Sequence, residues 1–455
     1  MATRYPCRSD FDRSALGAPL PFSFSQRAAP NRFVKSAMTE RMASWSASDK
    51  SARGIPGDEL VALYGAWGAG GFGTVITGNI LIDHDHIEAA GNMIVPVDAA
   101  LAAGPRFDGF QRLAAATREK NGALCIGQLN HPGRQCLASI QPDPVSASDV
   151  QLTTTMFGAG FAKPHPASPA ELRAITAAFV HAAVFLEGAG FDGVQLHAAH
   201  GYLLAQFLSA TTNRRSDAYG CGSLADRARL VTDIAAGIRA ATRPGFVLGI
   251  KINSVEWQAG GLAPAEAADL CALLEAHAFD FVELSGGTYE DMGLRHRRPS
   301  TRAREAFFLD FAEAIAPRLA RTRAVVTGGL RSAAAMADAL RAVDAVGLGR
   351  PACSEPGLPG DILSGRVDAC VRPLGLDDND FGVTATLAAA QMRLVGSGLR
   401  TLDPSDEGDI AVFNESVEAR ASGGSRRDLL DHLLERLKGH ATAKSQLHES
   451  AAVAL

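Results

Sequence analysis

The chain has 455 residues, 47% of them hydrophobic and 20% charged, with a formal net charge of −5. That length holds one large α/β barrel with additions, or two to three average domains, and the mildly acidic balance excludes the basic footprint of a nucleic-acid or anionic-membrane binder. Seven scattered cysteines without a C-x-x-C pair argue against a disulfide framework, a zinc site and an iron–sulfur cluster, and point to a reducing compartment.

The N-terminal MATRYPCRSDFDRSALG lacks the apolar core of a secretory signal. No stretch reaches the roughly 18 apolar residues of a spanning helix, so a cytoplasmic protein is expected. Residues 16–30 predict a hairpin that plugs the N-terminal end of a barrel. From about residue 32 to residue 350, short apolar runs alternate with amphipathic stretches. Predicted strands are Arg32–Met38, Phe72–Ile80, Leu124–Asn130, Asp192–His197, Val247–Asn253, Phe281–Ser285, Ala324–Gly328 and Ala345–Gly349. Predicted helices include Asp58–Gly68, Pro169–Glu187, Leu224–Ala241, Pro264–His277, Arg302–Leu319 and Ala333–Arg341, with Ser332 as an N-cap and Gly188 and Gly190 as stops.

Runs apolar on both faces suit a parallel sheet, and eight strand–helix units make a (β/α)8 TIM barrel the economical fold class. A doubly wound sheet is the alternative, but no G-x-G-x-x-G follows an early strand. Residues 131–168, rich in Pro, Ser, Thr and Gly, form a long connection after the third strand, of the kind that serves as a lid. A closing helix is expected up to about residue 398. The division is a barrel over 1–400 and a tail over 401–455 with one amphipathic helix, Arg426–Lys438.

Functional residues of such a barrel lie at the C-terminal ends of its strands. The fourth ends in HAAHGYLLAQFLS, where His197 and His200 can converge on one oxygen atom and Tyr202 offers a phenolic proton. The same histidines can instead be satisfied within the fold, or bind a metal, which needs a third ligand. The DHDH run at Asp83–His86 is a source of one, but a solvated loop is preferred there. VVTGGLRS and VGLGRP, ending the seventh and eighth strands, offer backbone N–H groups at Gly328, Gly329 and Gly349 with Arg350 beside them. That set suits a phosphate; two tight turns needing glycine for geometry are the bland alternative. Gln128 and Lys251 close the third and fifth strands, placed to meet a polar, electron-accepting ring or water at the rim.

Taken together, NRFVKSAMTERMA (Asn31–Ala43), IGQLNHPGRQ, the block from Gly190 to Arg229, LSGGTYE and the two glycine turns resemble the old yellow enzyme family of flavin oxidoreductases. The resemblance implies non-covalent FMN on the barrel mouth and NAD(P)H as reductant. It places Ala37, Met38 and Thr39 along the flavin ring, Gly78 and Gln128 at its polar edge and Lys251 near N1. Gly328, Gly329, Gly349 and Arg350 then hold the phosphate. It also implies that His197 and His200 bind the substrate oxygen while Tyr202 protonates the α-carbon, giving reduction of an activated C=C bond in a small electron-poor molecule. Three residues depart from the family pattern: Ala37 for proline, Cys221 inserted into YGCGSL, and Lys251 for arginine, which loses the planar fork. The iron–sulfur cysteine cluster of the larger members is absent, so the single-domain type matches better. Rival readings are a flavin-dependent dehydrogenase or isomerase, a non-redox barrel enzyme with a phosphorylated ligand, and a non-catalytic flavin-binding protein.

Overall fold

A computed structural model describes residues 2–155, 158–256, 260–290, 304–377 and 380–421. Eight parallel strands alternate with helices: β1 (Phe33–Lys35), β2 (Thr74–Leu81), β3 (Leu124–Asn130), β4 (Gly193–Ala198), β5 (Val247–Asn253), β6 (Phe281–Ser285), β7 (Arg323–Thr327) and β8 (Ala345–Leu348). Each is hydrogen-bonded to the next, and β1 pairs with both β8 and β2, so the sheet closes into the expected TIM barrel. Every residue of β2 to β6 is buried, because helices cover the outer face while side chains fill the interior.

Local sequence fixes where the helices begin. Pro105–Arg118, Pro169–Gly188 and Pro264–Ala276 each start on a proline, whose missing N–H costs nothing in the first turn. Ser168 and Glu171 form a reciprocal capping box, and Ser223 and Ser332 cap Leu224–Ala241 and Ala333–Ala339. The helix Pro169–Gly188 is long and apolar enough to cross a bilayer, against the sequence expectation. Its Leu172, Phe179, Phe185 and Leu186 are nevertheless buried in the barrel core, where a barrel helix needs them.

The hairpin Leu20–Pro21 with Ala28–Ala29 closes the N-terminal end. Its Leu20, Phe22 and Ala29 pack under inward residues of seven strands, among them Val34, Ile76 and Val247. The connection 131–168 carries its own small sheet, Val145–Ser146 beside His165–Pro166, and a bridge from Leu137 to Phe161.

Two elements differ from expectation. The first strand stops at Lys35, where its pairing with β2 ends, although the Ser36 N–H still donates to Leu348 O of β8 at 3.0 Å. Of the helix expected over Arg302–Leu319, the described residues from 304 on form Leu309–Ile315 plus a 3-10 turn, Ala316–Arg318. Buried Phe307 instead donates its N–H to Gly328 O at 3.0 Å, which ties that segment to the turn after β7.

Beyond the eighth unit, Phe381–Gly396 is capped by Asp380 and lies across the barrel mouth. Glu407–Ala421 packs on it through Phe413, with Leu402 between, against Leu387, Ala390 and Leu394. The amphipathic helix expected at Arg426–Lys438 lies outside the described residues.

Candidate active site

The strand ends surround a cavity of about 260 Å³. At one end stands the β4 cluster. His200 (φ 60°) and Gly201 (φ 79°) both adopt the left-handed conformation, which turns the chain sharply and folds His200 back onto His197. Their facing nitrogens, His197 Nε2 and His200 Nδ1, lie 3.1 Å apart. His197 Nδ1 meets Asn79 Oδ1 at 2.7 Å, and His200 Nε2 meets Ser285 Oγ at 2.8 Å. The Tyr202 ring centre is 4.6 Å from that of His197, and the Tyr202 and Tyr289 hydroxyls are hydrogen-bonded at 2.9 Å.

Burial governs the ionisation of this cluster. It holds His200 down to about 3, with Lys251 adding repulsion, and keeps His197 well below the ordinary histidine value, with His200 and Lys251 adding to it. Burial, then Glu88 and Tyr289, push the Tyr202 phenol well above its ordinary value. Two neutral imidazoles and a protonated phenol therefore meet at neutral pH.

A buried polar chain forms the floor. Gln128 Nε2 donates to Gln195 Oε1 at 2.7 Å, and Gln195 Nε2 donates to Glu283 Oε2 at 2.7 Å. Lys251 Nζ lies 3.0 Å from Glu283 Oε1, which also accepts from Thr327 Oγ1 at 2.7 Å. Burial opposes ionisation of Glu283, but Lys251, Gln195 and Thr327 hold its carboxyl below the usual range. Lys251 thus meets the cavity as half of an ion pair.

The opposite end is built from the glycine turns. Gly328 (φ 120°) and Gly329 (φ 90°) take backbone conformations that side chains resist, and a Cβ on Gly329 would fall 2.6 Å from Glu305 O. Gly349, Arg331 and Arg350 complete that end, with Arg350 Nη1 donating to Thr384 Oγ1 at 2.6 Å. Ala37, Met38 and Thr39 form one wall. Phe381, Ala385, Ala389 and Met392, one face of the helix Phe381–Gly396, form another. This wall escaped the sequence reading; its i, i+4, i+8, i+11 spacing was the available signal.

Every site residue expected from sequence borders this cavity except Gly78. Its N–H is engaged by Glu40 Oε1 at 2.9 Å and Tyr64 Oη at 3.0 Å, and it must be glycine because a Cβ would lie 2.5 Å from Met38 O. The neighbouring Asn79 takes the place at the wall. Asp83, His86 and His131 come together outside the cavity, the first two half-buried and His131 buried, rather than solvated. His86 Nδ1 is hydrogen-bonded to Asp83 at 2.6 Å, His86 Nε2 accepts from Val145 N–H, and His131 Nδ1 accepts from Gly133 N–H. The cluster is thereby satisfied as a hydrogen-bonded tie between two loops. Cys221 is exposed in its loop, remote from the cavity lining. A larger cleft of about 600 Å³, bordered by Arg8, Glu313, Asp338 and Arg341, contains none of these groups.

The cavity combines an apolar wall, an amide and ammonium floor, and glycine turns flanked by two guanidiniums. That donor set fits a planar heteroaromatic ring carrying a phosphate, as in FMN. The sequence pattern of the NADH:flavin oxidoreductase / NADH oxidase family matches residues 20–369. The chain belongs to the old yellow enzyme family. It is therefore an NADH:flavin oxidoreductase that uses FMN with NAD(P)H as reductant.

Among old yellow enzyme relatives, the chain is 48% identical over 431 residues to the NADH-dependent flavin oxidoreductase nadA of Aspergillus parasiticus, covering 94% of this chain and 95% of that one. It is 34% identical over 357 residues to the NADH-dependent flavin oxidoreductase iliE of Hypocrea jecorina, covering 73% and 85%. In fold it is similar to a solved morphinone reductase, with a TM-score of 0.63 at 23% identity over 81% of this chain and 93% of that one. The old yellow enzyme homologue of Zymomonas mobilis superposes similarly, with a TM-score of 0.62 at 21% identity over 78% and 94%.

Proposed function

We propose that this old yellow enzyme reduces the activated C=C bond of a small enone or nitroalkene, with Tyr202 as the proton donor. The observation that carries the reading is the convergence of His197, His200 and Tyr202 on one end of the cavity, with facing imidazole nitrogens 3.1 Å apart and the phenol beside them. FMN held here would supply the hydride chemistry that links the nicotinamide to the substrate carbon. The names of the relatives nadA and iliE favour NADH as the donor.

Ala37, Met38 and Thr39 would run along the ring, Gln128 and Lys251 would meet its polar edge, and Gly328, Gly329, Gly349 and Arg350 would hold its phosphate. The substrate's oxygen enters between His197 and His200, whose fixed positions stabilise the negative charge that develops there. Tyr202 gives its proton to the carbon adjacent to the activating group. The tyrosinate left in so buried a place is costly alone, and the Tyr289 hydroxyl, 2.9 Å away, offsets that cost by donating to it. The apolar face of Phe381–Gly396 and the connection 131–168, whose Phe161 ring lies 6.2 Å from that of Tyr289, limit access of water.

The test is anaerobic. Enzyme reduced by NADH is mixed with 2-cyclohexenone or 1-nitrocyclohexene; the reading expects reoxidation and one equivalent of saturated product. Formation of an isomer without net reduction would establish the isomerase instead.

A further inference from the structure

Tyr202 lies at the buried end of a pair of phenols. It is 5% exposed, and among the described residues the Tyr289 hydroxyl, 2.9 Å away, is the hydrogen-bond partner of its own. Tyr289 stands 87 positions further along the chain, in LSGGTYE after β6. It borders the cavity half-buried, and the next residue, Glu290, is exposed. The two tyrosine rings meet edge to face at 5.9 Å, and the Phe161 ring lies 6.2 Å from that of Tyr289. Buried Arg134 pairs with Glu290 at 2.8 Å, which fixes the segment that carries Tyr289. Exposure therefore rises stepwise from Tyr202 through Tyr289 to Glu290.

A phenol has one proton to give. If Tyr202 donates it to Tyr289, none points at a substrate carbon, so the reactive arrangement has the Tyr289 O–H donating to the Tyr202 oxygen. Once Tyr202 has parted with its proton, burial and the Glu88 charge both oppose the anion left behind. The described residues place one hydroxyl in contact to refill it, that of Tyr289. We propose that Tyr289 is a positioning residue that works through Tyr202 as a proton relay. As the Tyr202 O–H bond breaks and the new C–H bond forms, the Tyr289 proton passes to the Tyr202 oxygen. Water at the lip of the cavity then restores the Tyr289 proton. The net result is one solvent proton in the product, and no electrons move along the relay, because the pair that saturates the double bond arrives with the hydride. The negative charge is thus moved from a buried oxygen to a half-buried one. The proposal rests on the reading that Tyr202 is the proton donor.

The test follows reoxidation of NADH-reduced enzyme by 2-cyclohexenone in mixtures of H2O and D2O, with the rate plotted against deuterium fraction. Two protons moving together should bow the plot below a straight line in the unaltered protein. Y289F should straighten it and slow the step by about 10- to 100-fold, the value of a hydrogen bond to an oxygen that becomes charged. A merely structural role would slow the step and leave the shape of the plot unchanged, which would overturn the proposal. A straight plot for the unaltered protein overturns it too, even if Y289F does not fold. In a Y202F background Y289F should cost nothing further; an equal additional loss would show Tyr289 acting apart from Tyr202 and contradict the relay. Slow Y202F with an unaffected Y289F removes the relay alone. Y202F reoxidised as fast as the unaltered protein removes Tyr202 as the donor, and the functional reading fails with the relay.

Discussion

Lys251 on β5 and Glu283 on β6 occupy paired positions in the barrel register and form an ion pair of 3.0 Å beneath the cavity. A charge that meets the flavin already compensated affects its potential less than a lone cation does. Glu283→Gln removes the compensation while keeping the hydrogen bonds in outline. The midpoint potential of bound FMN should rise by about 30 mV, the equivalent of roughly 1.4 kcal/mol in a two-electron couple. Spectroelectrochemical titration of the purified flavoprotein measures it; an unchanged potential would mean that the pair is too remote from the ring to matter.

Arg350 stands at the glycine-turn end of the cavity, steadied by Thr384 on the helix Phe381–Gly396. Arg350→Ala should weaken FMN retention by about 10- to 100-fold, the value of a hydrogen bond to a charged group. Thr384→Val should weaken it less. Equilibrium dialysis against free FMN measures both, and equal retention in Arg350→Ala would remove this residue from the phosphate site.

Replacing His197 and His200 together with alanine should leave reduction by NADH much faster than reoxidation by substrate. Each lost donor to a developing oxyanion costs about 10²–10³ in rate, so the substrate half-reaction should fall steeply. Equal losses in both half-reactions would mean that the histidines serve the nicotinamide instead.

Acid should destabilise the fold through its buried histidines. His131 and His200 are held to about 3 against an unfolded value of 6.5, with burial the leading cause in both. Between those values the unfolded chain binds more protons, so stability is complete above the unfolded value and declines as pH falls towards the folded one. Each group contributes a slope of up to about 1.4 kcal/mol per pH unit in that window. Urea unfolding at ~pH 7 and ~pH 5 should show the loss, and His131→Gln should reduce it. An identical slope in His131→Gln would assign the acid sensitivity elsewhere.

What the sequence revealed and what it hid follow from the range of the interactions. β3, β5 and β6 match their predicted bounds residue for residue, because each is an apolar run ended by a polar residue or a turn. His197, His200 and Tyr202 were legible because they lie within six positions of one strand end. Glu283 and Gln195 were not: each sits between a valine and a leucine within its strand, and their mutual partnership spans 88 positions. Asn79 is 118 positions from the histidine it orients, so only the closed barrel reveals that pair. The expected helix over Arg302–Leu319 was read from composition, whereas buried Phe307 and its tie to Gly328 O set the backbone there.

Stopped-flow measurement of both half-reactions on Tyr202→Phe tests the central claim most directly, that this old yellow enzyme completes C=C reduction with a proton from Tyr202. The substitution keeps the ring beside His197 and removes only the hydroxyl paired with Tyr289. Flavin reduction by NADH should be nearly unchanged, since no proton reaches substrate in that step. Reoxidation by 2-cyclohexenone should slow by about 10²–10⁴, the contribution of a positioned general acid. Slower flavin reduction with an unaffected enone step would contradict the account and assign the Tyr202 hydroxyl to nicotinamide binding.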